Sequence, residues 1–305
     1  MTAIDLSDVT KRFGDFTALD GLDLSIEDGE IFGFLGPNGA GKSTAINILL
    51  DFIRPTTGQA NVLGYDAQMD SLAIRQRIGV LPDAFSVYDR LTGRQHLEFA
   101  IESKNAEDSP IEILERVGIA DAADRKAGGY SKGMAQRLAL GMALVDQPDL
   151  IILDEPSTGL DPNGAREMRE IILEENARGA TVFFSSHILE QVDAVCDRVG
   201  ILQDGRLIAQ DSIQGLRQST ETSANLTLFV SQVTQDALAA VQNCPGVFEV
   251  QGHDHEIAVT IADGSKIAVI DAVREAGVEI HDIATEESSL DDLFAAFTNR
   301  QEVYA

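Results

Sequence analysis

A glycine-rich run between an apolar stretch and a helical pattern constrains the fold of this 305-residue chain more than any other feature. The apolar stretch Ile31–Leu35 has the character of a buried strand, and a helical pattern runs from Lys42 to about Phe52. The run between them fits the phosphate-loop pattern GxxxxGK[ST] in full. An ordinary glycine-rich turn would not need the strand, the spacing and the helix together. The chain is therefore predicted to contain an α/β nucleotide-binding domain.

The residues of the loop and of the first helical turn are candidate ligands of a nucleotide. They are Gly36, Pro37, Asn38, Gly39, Ala40, Gly41, Lys42, Ser43 and Thr44. Glycines let successive backbone N–H groups point inward, and the start of the helix adds its positive dipole end. Lys42 is predicted to reach the β- and γ-phosphates, and Ser43 to place its hydroxyl on Mg²⁺.

Two adjacent acids follow a second apolar run, Leu150–Leu153. Parallel α/β sheets bind ligands at the carboxyl ends of their strands, so Asp154 and Glu155 are expected near the phosphate loop. Asp154 is a candidate for holding Mg²⁺ through water, and Glu155 for polarising the water that attacks phosphorus. His187, after the apolar run Thr181–Phe184, is a candidate donor to the γ-phosphate. The alternatives are a strand terminator for the acids and a surface or capping role for the histidine.

The charge of the chain disfavours two kinds of partner. Fifty acidic and 23 basic side chains give a net charge of −27 at pH 7, which disfavours nucleic acid and anionic lipid. The acid-rich, lysine-poor composition is typical of proteins from salt-accumulating halophiles, and an acidic surface for a basic partner is the alternative.

No apolar run approaches the roughly 20 residues of a membrane helix. With no secretory signal at the start, a cytoplasmic location is expected.

Changes in pattern along the chain predict two domains. Residues 1–218 are expected to form the nucleotide-binding domain, with a helical insert at about 84–145. In residues 225–305, after the polar stretch Gln218–Ala224, a short final helix is predicted at Leu290–Phe297. The elements before it run as strand, helix, strand, strand, helix and strand. That order is typical of a small ferredoxin-like α+β domain.

Three further segments resemble those of a known family. Tyr130–Arg137, which reads YSKGMAQR, resembles the signature motif of the ABC ATPases, and Ser157–Asp161 looks like their D-loop. His187 matches their switch histidine. With the phosphate loop and Asp154, these segments make roughly residues 2–218 similar to an ABC transporter ATP-binding subunit. The resemblance implies a P-loop NTPase fold of the ABC type, with a mixed-sheet core and a helical subdomain.

The resemblance also implies how such a chain works. Two ATPase domains, in a homodimer or with a paired subunit, face each other head to tail. ATP on the loop of one copy is then closed over by Ser131 and Gly133 of the other, while Lys42, Glu155 and His187 serve hydrolysis. The pair powers an integral-membrane permease through the helical insert, which would hold the chain at the inner face of the cell membrane.

The resemblance also implies roles for two positions at which this chain lacks the family's usual residue. Phe13 corresponds to the aromatic that stacks on adenine, which is more often tyrosine. Either ring can stack on a base. Asp83 stands where the family usually carries glutamine, and is implied to join Ser43 and Asp154 around Mg²⁺. The alternatives are a core aromatic near a turn for Phe13 and a turn aspartate after a proline for Asp83.

The signature itself departs from the usual pattern. Lys132 and Met134 replace the usual glycine and glutamine, and this variant resembles exporter-like (ABC-2) subfamilies of bacteria and archaea. It also looks like the ATPase that accompanies nitrous oxide reductase maturation. Two interpretations of Lys132 stay open: a solvated surface lysine, or a side chain that contacts phosphate.

Two other functions are weighed against transport. ABC ATPases that act on ribosomes or DNA usually join two ATPase units or carry a long coiled-coil insertion, and neither pattern occurs here. A regulatory module with vestigial hydrolysis is disfavoured by the intact Lys42, Asp154 and Glu155, although Asp83 leaves room for it. The transported molecule is not encoded in such a subunit, because cargo contacts lie in the permease.

Overall fold

The computed structural model describes residues 2–83, 85–186, 188–219, 224–261, 265–286 and 294. The chain divides into two compact units, residues 1–210 and 211–305. This division precedes the boundary predicted between 218 and 225, and residues 220–223 lie outside the described ranges. Within those ranges, no helix combines the length and the apolar character that crossing a membrane requires.

Strands and helices alternate along the first part of the chain. The strands are β1 (Thr2–Phe13), β2 (Phe16–Glu27), β3 (Ile31–Leu35), β4 (Thr57–Val62), β5 (Tyr65–Asp66), β6 (Ile78–Leu81), β7 (Leu150–Asp154), β8 (Thr181–Ser186), β9 (Arg198–Gln203) and β10 (Arg206–Ser212). The helices are α1 (Lys42–Leu49), α2 (Ser71–Arg77), α3 (Gly93–Lys104), α4 (Pro110–Arg116), α5 (Lys132–Ala143), α6 (Pro162–Ala177), α7 (Leu189–Asp193) and α8 (Ile213–Ser219).

Two sheets make up the first unit. One has six strands in the order β10-β9-β3-β8-β7-β6, and its inner pairs from β9 to β6 are parallel. The other has four antiparallel strands in the order β2-β1-β4-β5. The unit therefore has the mixed α/β architecture predicted from the sequence.

The centre of the six-stranded sheet is buried along whole strands. Every residue of β3, β7 and β8 is buried, as expected for parallel strands covered on both faces. The ring of Phe183 lies between those of Phe32 and Phe34, with centroid distances of 6.3 and 5.3 Å. Because only β8 separates β3 from β7, the carboxyl ends of these strands bring the phosphate loop and the acid pair to one edge of the sheet.

The chain between β6 and β7 is helical, in the span predicted for the insert. Helix α3 begins with a capping box, in which the Thr92 side chain accepts from the N–H of Gln95 and the Gln95 side chain accepts from the N–H of Thr92. Helices α4 and α5 pack against α3. Short 3₁₀ turns at Ala120–Ala122 and Ala127–Gly129 lead into α5.

The second unit contains the predicted βαββαβ order. Its elements are β11 (Ala224–Val230), α9 (Gln235–Gln242), β12 (Val247–His253), β13 (Glu256–Ile261), α10 (Lys266–Glu275) and β14 (Ile280–Glu286). They form an antiparallel sheet in the order β12-β13-β11-β14. Leu228 and Ile257 of the sheet pack with Val241 and Val269 of the helices. The final helix predicted at Leu290–Phe297 lies outside the described residues, apart from Phe294.

Candidate functional site

The phosphate loop connects the end of β3 to the start of α1 and depends on glycine at two places. Gly41 has a φ of 112°, and a Cβ there would lie 2.7 Å from the carbonyl oxygen of Ala18. A Cβ on Gly36 would lie 2.4 Å from the carbonyl oxygen of Leu202 on β9. A side chain at either position would push the loop away from the strands that support it. The glycines therefore fix the position of the loop against β2 and β9.

Lys42 lies beneath this loop with a largely buried side chain. Its ammonium donates to the carbonyl oxygens of Gly36, at 2.5 Å, and Pro37, at 3.3 Å. Burial lowers the pKa of Lys42, while the negative charges of Glu155, Asp154 and Asp83 act in the opposite direction. The amine is thus placed where an anionic ligand can add to the stabilisation of its charge.

The acid pair lies at the end of β7, beside Ser185 of β8. Ser185 Oγ donates to Asp154 Oδ1 at 2.5 Å, and the N–H of Glu155 donates to the Ser185 carbonyl oxygen at 3.0 Å. Burial raises the pKa of Asp154, helped by the charges of Asp83 and Glu155 and opposed by the Ser185 hydrogen bond and by Lys42. The paired register of β7 and β8 thus holds two carboxylates near one amine.

A cavity of about 270 Å³ collects most of the predicted site residues. Its lining residues are Phe16, Ala18, Pro37, Asn38, Gly39, Gly41, Lys42, Ser43, Thr44, Asp83, Asp154 and Glu155. The expected proximity of the loop and the acid pair is present, and Asp83 joins them from the segment after β6. Carboxylate and hydroxyl oxygens, an ammonium and the start of a helix in one cavity suit a polyphosphate with a divalent cation.

Phe16, which sequence analysis missed, lines this cavity, and Phe13 is not among its lining residues. The predicted stacking of Phe13 on adenine stays a prediction. The two phenylalanines pair directly across the turn between β1 and β2. Phe16 lines the cavity, whereas the Lys11 ammonium lies 4.9 Å from the ring centroid of Phe13. The tight turn Gly14-Asp15 could have indicated Phe16, because it places Phe13 and Phe16 directly opposite each other.

The signature residues do not line the cavity of their own chain. Ser131 caps α5, accepting from the N–H of Met134 at 3.2 Å, and Gly133 follows in the first turn. The aliphatic part of Lys132 lies over Gly159 of the Ser157–Asp161 segment, because a Cβ on Gly159 would come within 2.5 Å of Lys132 Cδ. The signature and this segment therefore form a continuous surface.

The remaining predicted residues are Ala40, Asp161 and His187. Ala40 is buried and is not among the lining residues of the cavity. Asp161 caps α6 by accepting from the N–H of Gly164 at 2.8 Å. His187 lies outside the described residues, directly after Ser186 at the end of β8. Its predicted role as a donor to the γ-phosphate stays a prediction.

Comparison with known proteins gives consistent matches. The family model for ABC transporters matches residues 19–158. A daunorubicin resistance ATP-binding protein of Streptomyces coeruleorubidus, DrrA3, is 35% identical over 305 residues, which cover 97% of this chain and 96% of that protein. The bacitracin transport ATP-binding protein BcrA of Bacillus licheniformis is also 35% identical, over 96% of each chain.

Solved structures of ABC ATP-binding subunits and cassettes match about 70% of this chain. The dimeric, post-hydrolysis structure of the ATP-binding cassette MJ0796 bound to ADP and Pi superimposes with a TM-score of 0.64 at 26% identity, covering 69% of this chain and 98% of that one. This similarity confirms the fold class predicted from the sequence.

Proposed function

Because this chain belongs to the family of ABC transporter ATP-binding subunits, we propose that the cavity beside Lys42 is its ATP site. The chain is an ATP-hydrolysing subunit of an export-type ABC transporter, a class in which paired ATPases drive a membrane permease. In each subunit of the pair, this cavity would bind ATP and be the place where the γ-phosphate is cleaved.

One observation carries the assignment of the site: the loop, Lys42, Asp154 and Glu155 line a single cavity. A triphosphate on the loop would meet the N–H groups at the start of α1 and the Lys42 ammonium. Lys42 donates to two neutral carbonyl oxygens of the loop, and phosphate oxygens would offer it charged acceptors. Hydrogen bonds between charged groups are roughly twice as strong as neutral ones, so binding of a polyphosphate is favoured.

The same cavity fits Mg²⁺ held together with a nucleotide. Ser43, Asp83 and Asp154 offer hydroxyl and carboxylate oxygens, and Mg²⁺ in such sites keeps one or two carboxylates plus phosphate oxygens. In the described part of the chain, no three or more His, Cys, Asp or Glu side chains are arranged to hold a metal by themselves. Bound there, Mg²⁺ would supply positive charge to the phosphate oxygens. Ser43 and Asp154 would hold it, with Asp83 as a third candidate.

Hydrolysis is assigned to Glu155, with His187 in support. Glu155 is buried at the cavity wall, next to the end of β7. Its carboxylate would orient the attacking water and accept a proton from it, and the main demand of phosphoryl transfer is such alignment together with charge neutralisation. His187 would donate to the γ-phosphate, and Lys42 would hold the β- and γ-phosphates.

A second copy is proposed to complete the site. Ser131 and Gly133 are absent from the lining of the described cavity, although the signature surface carries them at the start of α5. This arrangement favours a homodimer or paired subunit in which the signature of one copy closes the ATP of the other. The pair would dock on a permease at the inner face of the membrane through the surface around Arg75–Arg94.

The cargo is proposed to be an antibiotic-type small molecule. The two relatives carry names that concern daunorubicin resistance and bacitracin transport, and each matches this chain along almost its full length. Contacts that choose between individual molecules would lie in the permease.

The test of the proposed function is a Glu155→Gln variant. Loss of the carboxylate should leave ATP binding intact and reduce turnover by about 100-fold or more, because proton acceptance is lost and the shape is kept. Phosphate release and retention of labelled ATP measure the two effects. Glu102→Gln, at an exposed position of α3, is the matched control and should behave like the parent. Parental turnover in Glu155→Gln would refute the assignment.

A further inference from the structure

The backbone at Glu155 adopts a conformation that its sequence context disfavours. Its φ of 51° lies in the left-handed region, which residues other than glycine seldom occupy. The next residue is Pro156, and a residue before proline normally takes an extended conformation. Such a conformation persists only where surrounding contacts hold it. The contacts on either side of Glu155 therefore decide where its carboxylate points.

Hydrogen bonds fix the turn on both sides of Glu155. Before it, the N–H of Glu155 donates to the Ser185 carbonyl oxygen at 3.0 Å. After it, Gln136 Nε2 donates to the Pro156 carbonyl oxygen at 2.8 Å. Ser157 Oγ then donates to Gln191 Oε1 of α7. The turn is thus tied to β8, α5 and α7 within three residues.

Gln136 has the features of a residue placed for this one contact. It is only 6% exposed and lies on α5, five residues after Ser131, and a polar side chain at such depth costs stability unless it is paired. Its neighbour Arg137 anchors the helix to the Val117 carbonyl oxygen and to Glu167. The amide therefore projects from a fixed support.

The hydrogen bond from Gln136 restricts the conformation of Glu155 through the backbone of Pro156. The proline ring fixes φ of residue 156, and the hydrogen bond from Gln136 fixes the direction of its carbonyl group and hence ψ. The N–H of Glu155 is held by Ser185, and its carbonyl oxygen accepts from the N–H of Thr158 at 3.1 Å, so little freedom is left for the peptide between Glu155 and Pro156. Without the amide, the Pro156 carbonyl would lose its partner and the turn could relax toward the extended form preferred before proline.

We propose that Gln136 is a positioning residue for ATP hydrolysis, which holds the left-handed turn that aims the Glu155 carboxylate into the cavity. The proposal rests on the proposed function, since it takes Glu155 as the group that activates water. It assigns Gln136 no contact with the nucleotide, so its loss should lower kcat and leave the KM for ATP unchanged.

The test uses two substitutions of Gln136 in the full chain. Gln136→Met keeps a similar length and removes the donor, and a small displacement of a catalytic group costs up to about 100-fold in rate. We expect kcat to fall by about 10- to 100-fold, with KM for ATP within about twofold of the parent. Gln136→His offers Nε2–H at a comparable reach and should recover kcat to within about threefold of the parent. Gln242→Met, at the exposed end of α9, is the control and should leave both constants unchanged.

A double-mutant cycle separates positioning from general support of the fold. In a Glu155→Gln background the carboxylate is already gone, so adding Gln136→Met should not reduce the residual single-turnover rate further. The proposal would be overturned if Gln136→Met reduced the rate equally in both backgrounds, raised the KM for ATP in parallel, or no longer bound ATP. It would also be overturned if Gln136→His were as slow as Gln136→Met, or if Gln136→Met had the parental kcat.

The outcomes also distinguish this proposal from the one on which it rests. If Glu155→Gln is inactive and Gln136→Met has the parental kcat, only the role of Gln136 fails. If Glu155→Gln itself turns over ATP like the parent, the assignment of Glu155 fails whatever Gln136 does.

Discussion

At the scale of single residues, the charges around Lys42 explain why the cavity suits a nucleotide with a divalent cation. Asp83, Asp154 and Glu155 face one ammonium, so a bare polyphosphate would meet more negative than positive charge. Burial lowers the pKa of Lys42 and raises that of Asp154, which means that both charges are held at a cost. A cation between the carboxylates and the phosphates removes the repulsion, and the phosphates provide Lys42 with anionic partners.

The two phenylalanines at the β1–β2 turn give a prediction at this scale. Phe16 lines the cavity and Phe13 does not, so Phe16→Ala should raise the KM for ATP by about 10-fold, the value of one base–aromatic stack. Phe13→Ala, the matched control three residues away, should change KM by less than about twofold. Steady-state ATPase kinetics measures both. The reverse order of effects would instead support the role that the family resemblance gave to Phe13.

Predictability from sequence differs among these residues for a physical reason. Lys42, Asp154 and Glu155 could be predicted because a short motif and the end of one strand determine where each lies. Phe13 and Phe16 are direct partners across the hairpin, so both side chains lie on one face of it, and no local pattern decides which ring meets a nucleotide. A role for Gln136 could not be predicted from the sequence. Its partner Pro156 lies 20 residues further along the chain, and only the fold brings the two together.

At the scale of elements, the approach of α5 to β6 shapes the segment that carries Asp83. A Cβ on Gly79 would lie 2.0 Å from the carbonyl oxygen of Ala143, at the end of α5. The strand can therefore reach the helix backbone only where residue 79 has no side chain. Since β6 runs directly into Asp83, the same contact supports one wall of the cavity.

Substitution of Gly79 tests this packing. Gly79→Ala should lower the free energy of unfolding by about 1–3 kcal/mol, the usual cost of overpacking, and Tm by about 5 °C. Gly129→Ala is the control, because a Cβ there meets nothing within 4 Å and its φ is not positive. Thermal unfolding followed by circular dichroism compares the two. An unchanged Tm in Gly79→Ala would mean that the strand and the helix can separate without cost.

The elements themselves were largely predictable, and their arrangement was less so. The strands β3, β7 and β8 appear in the sequence as apolar runs because both of their faces are covered. The βαββαβ order of the second unit could likewise be read from alternation and helical periodicity. The strand order could not, because β3 pairs with β8 through contacts such as Ile31 with Val182, which no local pattern encodes.

At the scale of the whole molecule, the net charge of −27 dominates the electrostatics. Salt weakens repulsion among these charges and also weakens surface ion pairs, such as Arg77 with Asp149 at 2.7 Å. Exposed pairs of this kind contribute only about 0–1 kcal/mol each, and the acidic excess extends over both halves of the chain. Screening of the repulsion should therefore have the larger effect.

This balance predicts that the protein is more stable in concentrated salt. Raising KCl from 0.1 to 2 M at pH 7.5 should increase Tm by about 5 °C or more. At pH 5.5, nearer the sequence pI of about 4.3, the smaller net charge should reduce the increase. Scanning calorimetry at both pH values measures it. A protein that is fully folded and active in dilute buffer but loses stability in molar KCl would contradict the halophile hypothesis.

Two copies of the chain are proposed to enclose ATP between the phosphate loop of one and Ser131 and Gly133 of the other. Sedimentation velocity of Glu155→Gln measures this most directly, because that variant should bind ATP and not consume it. We predict that the 32.8-kDa monomer doubles its mass when ATP and Mg²⁺ are added, and that adding Ser131→Arg to this variant prevents the dimer while ATP binding persists. A variant that remains monomeric with saturating ATP, or a dimer that tolerates Ser131→Arg, would contradict the claim.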